Sequence, residues 1–422
     1  MTAALPPLRV AALVDLAWRP SAGGHVKCWE RLAQAATGRP EALDLTVFFS
    51  GDAPRTVPLA PNVRFRILPP VFSTARLPFL GRLPDDTDLS PWHPALARAL
   101  GEGFDLIHTT DAFFAFAHTA RAVARRRRLP LVNSIHTDTP SYTRLYTRQT
   151  VERLFPAPLT RLLLDRLHAD AFAERRALAQ LAAYHRACAY VFVSREDERQ
   201  RALKTLPADR VRVLRRGIDR NRFDPVRRDR AWLEDRFAIP AGRTVVCLAG
   251  RVDRGKNVMI VAEAVRLLAE RGLPVHLLCA GEGPERPAIQ AMLAGHATCP
   301  GQLDPDGLAR ACAAADIFAQ PSEIEVFSNA VMEGLASGLP VLVAERGGMG
   351  RLVAHGETGL VVPGTPADWA DALAGLIADP DRRLAMGRAA RRHAETRLPG
   401  WNDVLMRDLM PVWRAVASVR HG

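Results

Sequence analysis

The chain reads as a two-part α/β protein, and three observations predict it. Short, wholly apolar stretches alternate with segments of helical spacing. That alternation closes near Leu214 and restarts at Thr244. At 422 residues the chain is also too long for one ordinary hydrophobic core. Strands that are apolar on both faces belong to parallel sheets covered on each side by helices.

In chain order, Leu8-Arg-Val-Ala-Ala-Leu-Val-Asp15 is a buried first strand, followed by a loop, Arg19 to Gly24, and a helix from His25 to about Ala36. Leu45–Phe49, Val63–Leu68, Phe104–His108 and Leu131–His136 are further strands. Clean helical spacing resumes only after Pro158, as one long Leu/Ala/Arg segment reaching about Ala187. Tyr190–Val193 and Val211–Leu214 complete the first half. In the second, Thr244–Ala249 is a strand, Val258–Glu270 a helix, and Val275–Ala280, Asp316–Ala319 and Val341–Val343 further strands. The charged, Pro-containing segment Asp219 to Gly242 suits a linker. From about Pro399 the chain is helical, with Trp401 and Trp413 as aromatic anchors. The expected division is therefore 1–219, 220–398 and a terminal helix over 399–422.

Composition excludes several classes. The apolar fraction of 48% and charged fraction of 24% suit a globular protein. No apolar run reaches the length of a membrane span. The opening residues lack a basic start with a long apolar core, so the cytoplasm is the expected compartment. Six scattered cysteines with no C-x-x-C pair argue against zinc and suit small buried hydrophobes. Asp304-Pro-Asp306 has D-x-D spacing but reads as a turn, and no metal site is expected. The net charge is +12, with +10 carried by residues up to 214. That asymmetry points to an anionic partner for the first half, and no aromatic-basic nucleic-acid module accompanies it. Arginine outnumbers lysine 54 to 3, so each lysine position is informative.

Two glutamates, Glu325 and Glu333, flank the start of a helix that runs into a tight turn and the strand at Val341. A helix N-terminus attracts anions, so acids there suit a ligand that carries both hydroxyls and a phosphate. A sugar nucleotide is such a ligand. Gly250-Arg251-Val-Asp-Arg-Gly-Lys256-Asn257 lies after a strand and before a helix, where phosphates bind in open α/β sheets. Arg251 and Lys256 can both reach one diphosphate from that loop.

Together these stretches resemble glycosyltransferase family 4, retaining enzymes of the GT-B fold. Pro321, Ser322, Glu325, Phe327, Glu333, Ala336, Gly338, Pro340 and Val341 match the family's donor motif. Ser328 replaces its usual Gly, and Gly334 its usual Ala. Arg216-Gly-Ile-Asp219 with Phe223 and Pro225 resembles the family's hinge segment, and Gly281-Glu-Gly283-Pro284 with Arg286 its second glycine turn. Thr298-Cys-Pro-Gly301 departs from the family, which usually has an aromatic before the glycine. The resemblance covers most of Thr244 to Pro363 and scattered loops of the first half.

The resemblance implies two Rossmann-like domains facing an interdomain cleft, with the last helix crossing back to the first. It implies that Arg251 and Lys256 hold the donor diphosphate, that Glu333 binds the ribose and that Glu325 holds sugar hydroxyls. Phe327, Ser328 and Asn329 would supply shape and backbone contacts. In the first half, Gly24 would lie near the donor phosphate and acceptor. His136, in Asn133-Ser-Ile-His136-Thr-Asp138-Thr-Pro140-Ser-Tyr142, would contact the transferred sugar, as in lipid-glycosylating mannosyl- and sulfoquinovosyl-transferases. His108 is a similar strand-end position. A simple tight turn at Gly23-Gly24 and ordinary sheet-edge histidines are the structural alternatives.

The expected activity is transfer of a hexose from a nucleoside-diphosphate sugar, GDP-mannose or a UDP-sugar, to a lipid or glycan acceptor. No cofactor or metal is expected. The Arg-rich segment Arg144 to Arg186, with Leu162, Leu163, Leu164, Leu167 and Phe172, suits either an ordinary packed helix or contact with an anionic membrane. Peripheral placement on the inner face of the cytoplasmic membrane would follow from the second. The competing readings are a sugar-nucleotide epimerase or phosphorylase of the same fold, and a basic scaffold for membrane or polyanion.

Overall fold

A computed structural model describes residues 6–19, 22–76, 87–323 and 328–418. The chain divides into two compact units, Met1–Arg215 with Trp401–Gly422, and Arg216–Gly400. The divisions fall after Arg215 and Gly400, where 219 and 398 were expected.

The first unit holds β1 (Leu8–Ala17), β2 (Leu43–Ser50), β3 (Arg55–Ala60), β4 (Val63–Leu68), β5 (Leu106–Thr109), β6 (Leu131–Ser134), β7 (Tyr190–Val193) and β8 (Val211–Val213). Their order is β3-β4-β2-β1-β5-β6-β7-β8. All pairs are parallel except β3 with β4. β3 was not expected, because Pro58 interrupts its pattern, and proline is tolerated on such an edge strand. Central β1 is buried from Val10 to Asp15.

Two helical expectations need correction here. Helices Ala115–Arg127 and Thr139–Leu154 both precede Pro158. The first buries a stripe made mainly of alanines, with Phe116 and Val123, and the second buries only Pro140 and Val151, so the apolar signal of each is weak. The long segment after Pro158 is broken into Ala157–Arg161, a π-helical turn Leu162–Arg166, and Ala169–Arg186. His168, with φ of 48°, makes the break. The terminal segment packs in this unit's core through Val404, Leu405, Leu409 and fully buried Trp413. Arg215 donates two hydrogen bonds to Asp408, at 2.9 and 2.8 Å.

The second unit holds β9 (Thr244–Ala249), β10 (Val275–Ala280), β11 (Ala297–Gly301), β12 (Ile317–Gln320), β13 (Val341–Ala344) and β14 (Gly359–Val362). The order is β11-β10-β9-β12-β13-β14 and every pair is parallel. This is the doubly wound Rossmann order, with the winding reversing between β9 and β12. Helix Val258–Glu270 buries Val258, Val261, Ala262, Val265 and Leu268, an apolar stripe at helical spacing. The presumed linker is packed structure: Phe223, Leu233, Phe237 and Ile239 enter this unit's core. Among the described residues no helix is long and apolar enough to cross a membrane.

Candidate functional site

In the second unit the loops after β9, β10 and β12 emerge at the point where the sheet's winding reverses. The first two loops continue the ladder beyond the strands. Gly250 N–H donates to the Ala280 carbonyl at 3.0 Å, and Val252 N–H to the Glu282 carbonyl at 2.9 Å. The approach excludes side chains: a Cβ on Gly281 would lie 1.7 Å from the Gly250 oxygen, and one on Gly283 2.1 Å from that of Val252. The glycine turn is thus a packing device of the loop pair.

On this support Asp253 caps a short turn, accepting from Lys256 N–H at 3.0 Å. Arg251 Nη1 lies 3.5 Å from Asp253 Oδ2, with half its side chain exposed. Lys256 is half-buried. Ser322 Oγ donates to the Gly255 carbonyl at 3.3 Å, which ties the β12 loop to the basic loop. Buried Ser328 caps helix Asn329–Ala336 by accepting from Val331 N–H at 3.4 Å, and also accepts from Gln320 Nε2 at 3.3 Å. Glu333 lies on the second turn of that helix and is half-buried, as is Asn329. Arg251, Lys256, Ser328, Asn329 and Glu333 are therefore carried by one end of one sheet. Glu325 and Phe327 lie outside the described residues. Gly334 has a reason of its own: a Cβ there would lie 2.7 Å from the Phe318 ring. Asp304 caps helix Pro305–Ala314, accepting from Asp306 and Gly307 N–H, while Asp306 pairs with Arg227 at 2.6 Å. The D-x-D stretch, expected as a turn, is the N-terminus of a helix.

In the first unit Gly24 opens helix Gly24–Ala36. Neighbouring Gly23 has φ of −68°, and an added Cβ would meet nothing within 4 Å, so packing does not require glycine there. His136 follows β6. Its ring stacks on His25 at 4.4 Å and 14°. Ser134 Oγ lies 2.8 Å from His136 Nε2, and Trp29 Nε1 donates to the same nitrogen at 3.4 Å. An indole N–H can only donate, so Nε2 is the acceptor and the ring proton sits on Nδ1. His25, Trp29 and Ser134 thus set the tautomer and plane of His136. Spacing could not reveal this, since Trp29 and His136 lie 107 residues apart.

His108 has a different role. It is fully buried, and its Nδ1 accepts from Trp413 Nε1 at 3.0 Å. Burial pushes this imidazole down to about 3, so it stays neutral in the core. A second feature was not anticipated. Asp15, near the end of β1, and Asp111, just after β5, are neighbours by the register that pairs Leu13 with Thr109. Asp15 accepts from Phe116 N–H at 2.9 Å, and Asp111 from Phe113 and Phe114 N–H at 2.8 and 3.0 Å. Burial, and for Asp15 also the charge of Asp111, raises both above the usual carboxylate range.

Comparison with known proteins agrees with this architecture. A family profile described as Glycosyltransferase Family 4 matches residues 22–222, and one described as Glycosyl transferases group 1 matches 243–379. A D-inositol 3-phosphate glycosyltransferase of Nocardia farcinica is 30% identical over 319 residues, covering 71% of this chain and 64% of that protein. Its counterpart from Thermobispora bispora is 30% identical over 314 residues, covering 69% and 66%. The match thus spans just under two-thirds of these relatives. A GDP-mannose-dependent α-(1-6)-phosphatidylinositol monomannoside mannosyltransferase of Mycobacterium tuberculosis is 34% identical over 199 residues, covering 44% of this chain and 51% of that protein. Among solved structures, Anabaena HepE with UDP and glucose superposes with a TM-score of 0.66 at 17% identity, covering 98% of this chain and 100% of that one. Sucrose-phosphate synthase of Thermosynechococcus elongatus gives 0.70 at 20% identity over the same shares. These neighbours share the two-domain GT-B architecture. With one profile on each half of the chain and a Rossmann sheet under each, the chain belongs to glycosyltransferase family 4.

Proposed function

We propose that this protein moves a hexose from a nucleoside-diphosphate sugar to a lipid or glycan acceptor, with retention and without a metal. The observation that carries the reading is the basic loop Gly250–Asn257 at the switch point of the second sheet, tied to the Glu333 helix loop through Ser322 and Gly255. Arg251 and Lys256 are assigned to the diphosphate, Glu333 to the ribose and Glu325 to sugar hydroxyls. Phe327, Ser328 and Asn329 shape the donor pocket. Gly24 and His136 serve the sugar and acceptor from the first unit.

In the reaction the bond from the anomeric carbon to the diphosphate oxygen breaks. The acceptor oxygen bonds that carbon on the same face, and its proton passes to the leaving phosphate oxygen. Charge builds on the diphosphate, so fixed cations beside it act mainly in the transition state. A GDP-mannose donor and a phosphatidylinositol-based acceptor in one relative's name, and an inositol phosphate in others, favour a polar-headgroup acceptor. A peripheral position at the inner face of the cytoplasmic membrane goes with a lipid acceptor.

The test is thermal unfolding with GDP, UDP, ADP and NAD in parallel. Ligand at about 100 times its dissociation constant adds roughly 2.7 kcal/mol. A shift with one nucleoside diphosphate, lost in Lys256→Ala, is expected. Equal shifts in the wild type and Lys256→Ala would remove the diphosphate assignment.

A further inference from the structure

A parallel crossover needs only one helix of a dozen or so residues. The connection from β6, ending at Ser134, to β7, starting at Tyr190, is far longer. Helix Ala169–Arg186 serves as the crossover, burying Ala177, Tyr184 and His185. Helix Thr139–Leu154 and the broken turns after it are surplus to the fold. They form a hairpin whose stem is clamped by Arg144, at 3.2 Å from Asp170 and 3.3 Å from Glu174.

The tip of this hairpin is apolar and exposed. Of thirteen large apolar side chains exposed among the described residues, seven lie between Leu145 and Phe172. Leu154, Phe155, Leu159, Leu162 and Leu167 crowd the tip, and Leu167 and Phe172 are 60% and 58% exposed. The same stretch carries exposed Arg153, Arg161 and Arg166, with Glu152 and Asp165 as its exposed acids. Over residues 139–186 the count is eight arginines to four acids. Exposed apolar side chains interspersed with exposed arginines suit the boundary between anionic headgroups and acyl chains.

We infer that the hairpin tip, residues 153–168, together with exposed Phe172 beside it on helix Ala169–Arg186, is a wedge that seats this protein on an anionic lipid bilayer. The hairpin begins at Thr139, three residues after His136, so the element that meets lipid grows from the strand end that carries the candidate sugar contact. This deepens the proposed function and rests on its lipid-acceptor form.

The experiment is cosedimentation of the full chain with phosphatidylglycerol vesicles and with phosphatidylcholine vesicles. Binding is expected to phosphatidylglycerol and to weaken strongly at 1 M salt, where the Debye length falls from about 10 to about 3 Å. Phe155→Ser with Phe172→Ser should lower the affinity about tenfold or more. Both sites are exposed, so the double variant should keep its unfolding temperature and its nucleoside-diphosphate shift. Unchanged vesicle binding by that variant, or no wild-type binding to phosphatidylglycerol, would overturn the inference. So would a wild-type dimer that the two substitutions dissociate, since a second copy would then cover the tip. If no nucleoside diphosphate shifts unfolding while vesicle binding behaves as expected, the transferase reading fails and the wedge stands.

Discussion

The two sheets share a winding order but hide different things. The second is apolar inside, apart from a few groups such as His276, and keeps its polar chemistry in loops beyond the strand ends. The first buries a polar network. Tyr184 Oη donates to Thr109 Oγ1 at 3.1 Å, and Asn133 Nδ2 donates to the Asp111 carbonyl at 2.7 Å. Asn133 Oδ1 lies 3.2 Å from His185 Nε2. Asp15 and His108 are buried beside these groups, and Asp111 is half-buried with them. The second unit is thus an apolar platform with polar loops at its strand ends. The first has titratable groups inside its fold, and its stability should follow pH more steeply.

The largest effect should separate chemistry from stability in the second unit. Lys256→Ala should lower kcat/KM for sugar transfer by about 10²-fold or more, with little change in unfolding temperature. Loss of activity accompanied by unfolding would show that the loop is structural. The glycines beneath it should behave in the opposite way. In Gly281→Ala the new methyl meets backbone at 1.7 Å, which cannot rotate aside. A loss of about 3 kcal/mol in denaturant titration is expected. Gly334→Ala meets the Phe318 ring at 2.7 Å and should cost about 1–3 kcal/mol. Adding Phe318→Leu should recover part of that, since the ring is the obstacle. An additive double variant would show that ring and methyl do not collide.

This contrast explains what could be read from the chain alone. Helix Val258–Glu270 was legible to the residue because its buried positions repeat with helical period. The loops around Arg251 and Ser328 were legible because glycines, cations and acids recur at fixed short spacing. β11 and β14 were missed: each is short, and Pro300 and Gly359 interrupt the strand pattern. Helix Thr139–Leu154 was missed because it buries only Pro140 and Val151 while Leu145 and Leu154 are exposed, which leaves no apolar stripe to read. The polar interior of the first unit has no local signature. Asp15 meets Phe116 across 101 residues, and His108 meets Trp413 across 305. Only the fold brings such partners together.

Acid should therefore weaken the first unit before the second. Burial pushes the His108 imidazole down to about 3 and His185 to about 4, while in the second unit His276 is held at about 4. The unfolded chain binds protons on these rings below about 6.5, and the folded chain does not until the lowered values. The stability they confer is complete above 6.5 and drains as pH falls. By pH 5 each of these three histidines should cost about 2 kcal/mol, so two in the first unit outweigh one in the second. Partly buried His118, also lowered, adds to the first unit and His393 to the second. Hydrogen exchange measured separately on the two units at pH 7, 6 and 5 would show this. His185→Gln keeps a donor for Asn133 and should roughly halve the acid sensitivity of the first unit. Equal acid loss in both units would place the sensitive groups elsewhere.

The smallest expected effect runs the other way and tests the aspartate pair. Burial, joined at Asp15 by the charge of Asp111, raises both carboxyls in the fold. A raised folded value means that the folded state holds a proton the unfolded chain has already released. This contribution is complete at low pH and is lost as pH rises through the raised value. Asp15→Asn removes the titration but keeps an oxygen for Phe116 N–H, the bond that joins β1 to helix Ala115–Arg127. The variant should gain of order 1 kcal/mol at pH 8, shrinking towards nothing at pH 4. Unfolding midpoints at the two pH values decide it. A loss that is equal at both would mean that Asp15 works as an anion at the mouth of the helix, where a negative charge is favoured by the exposed N–H groups. Burial would then not have set its charge state.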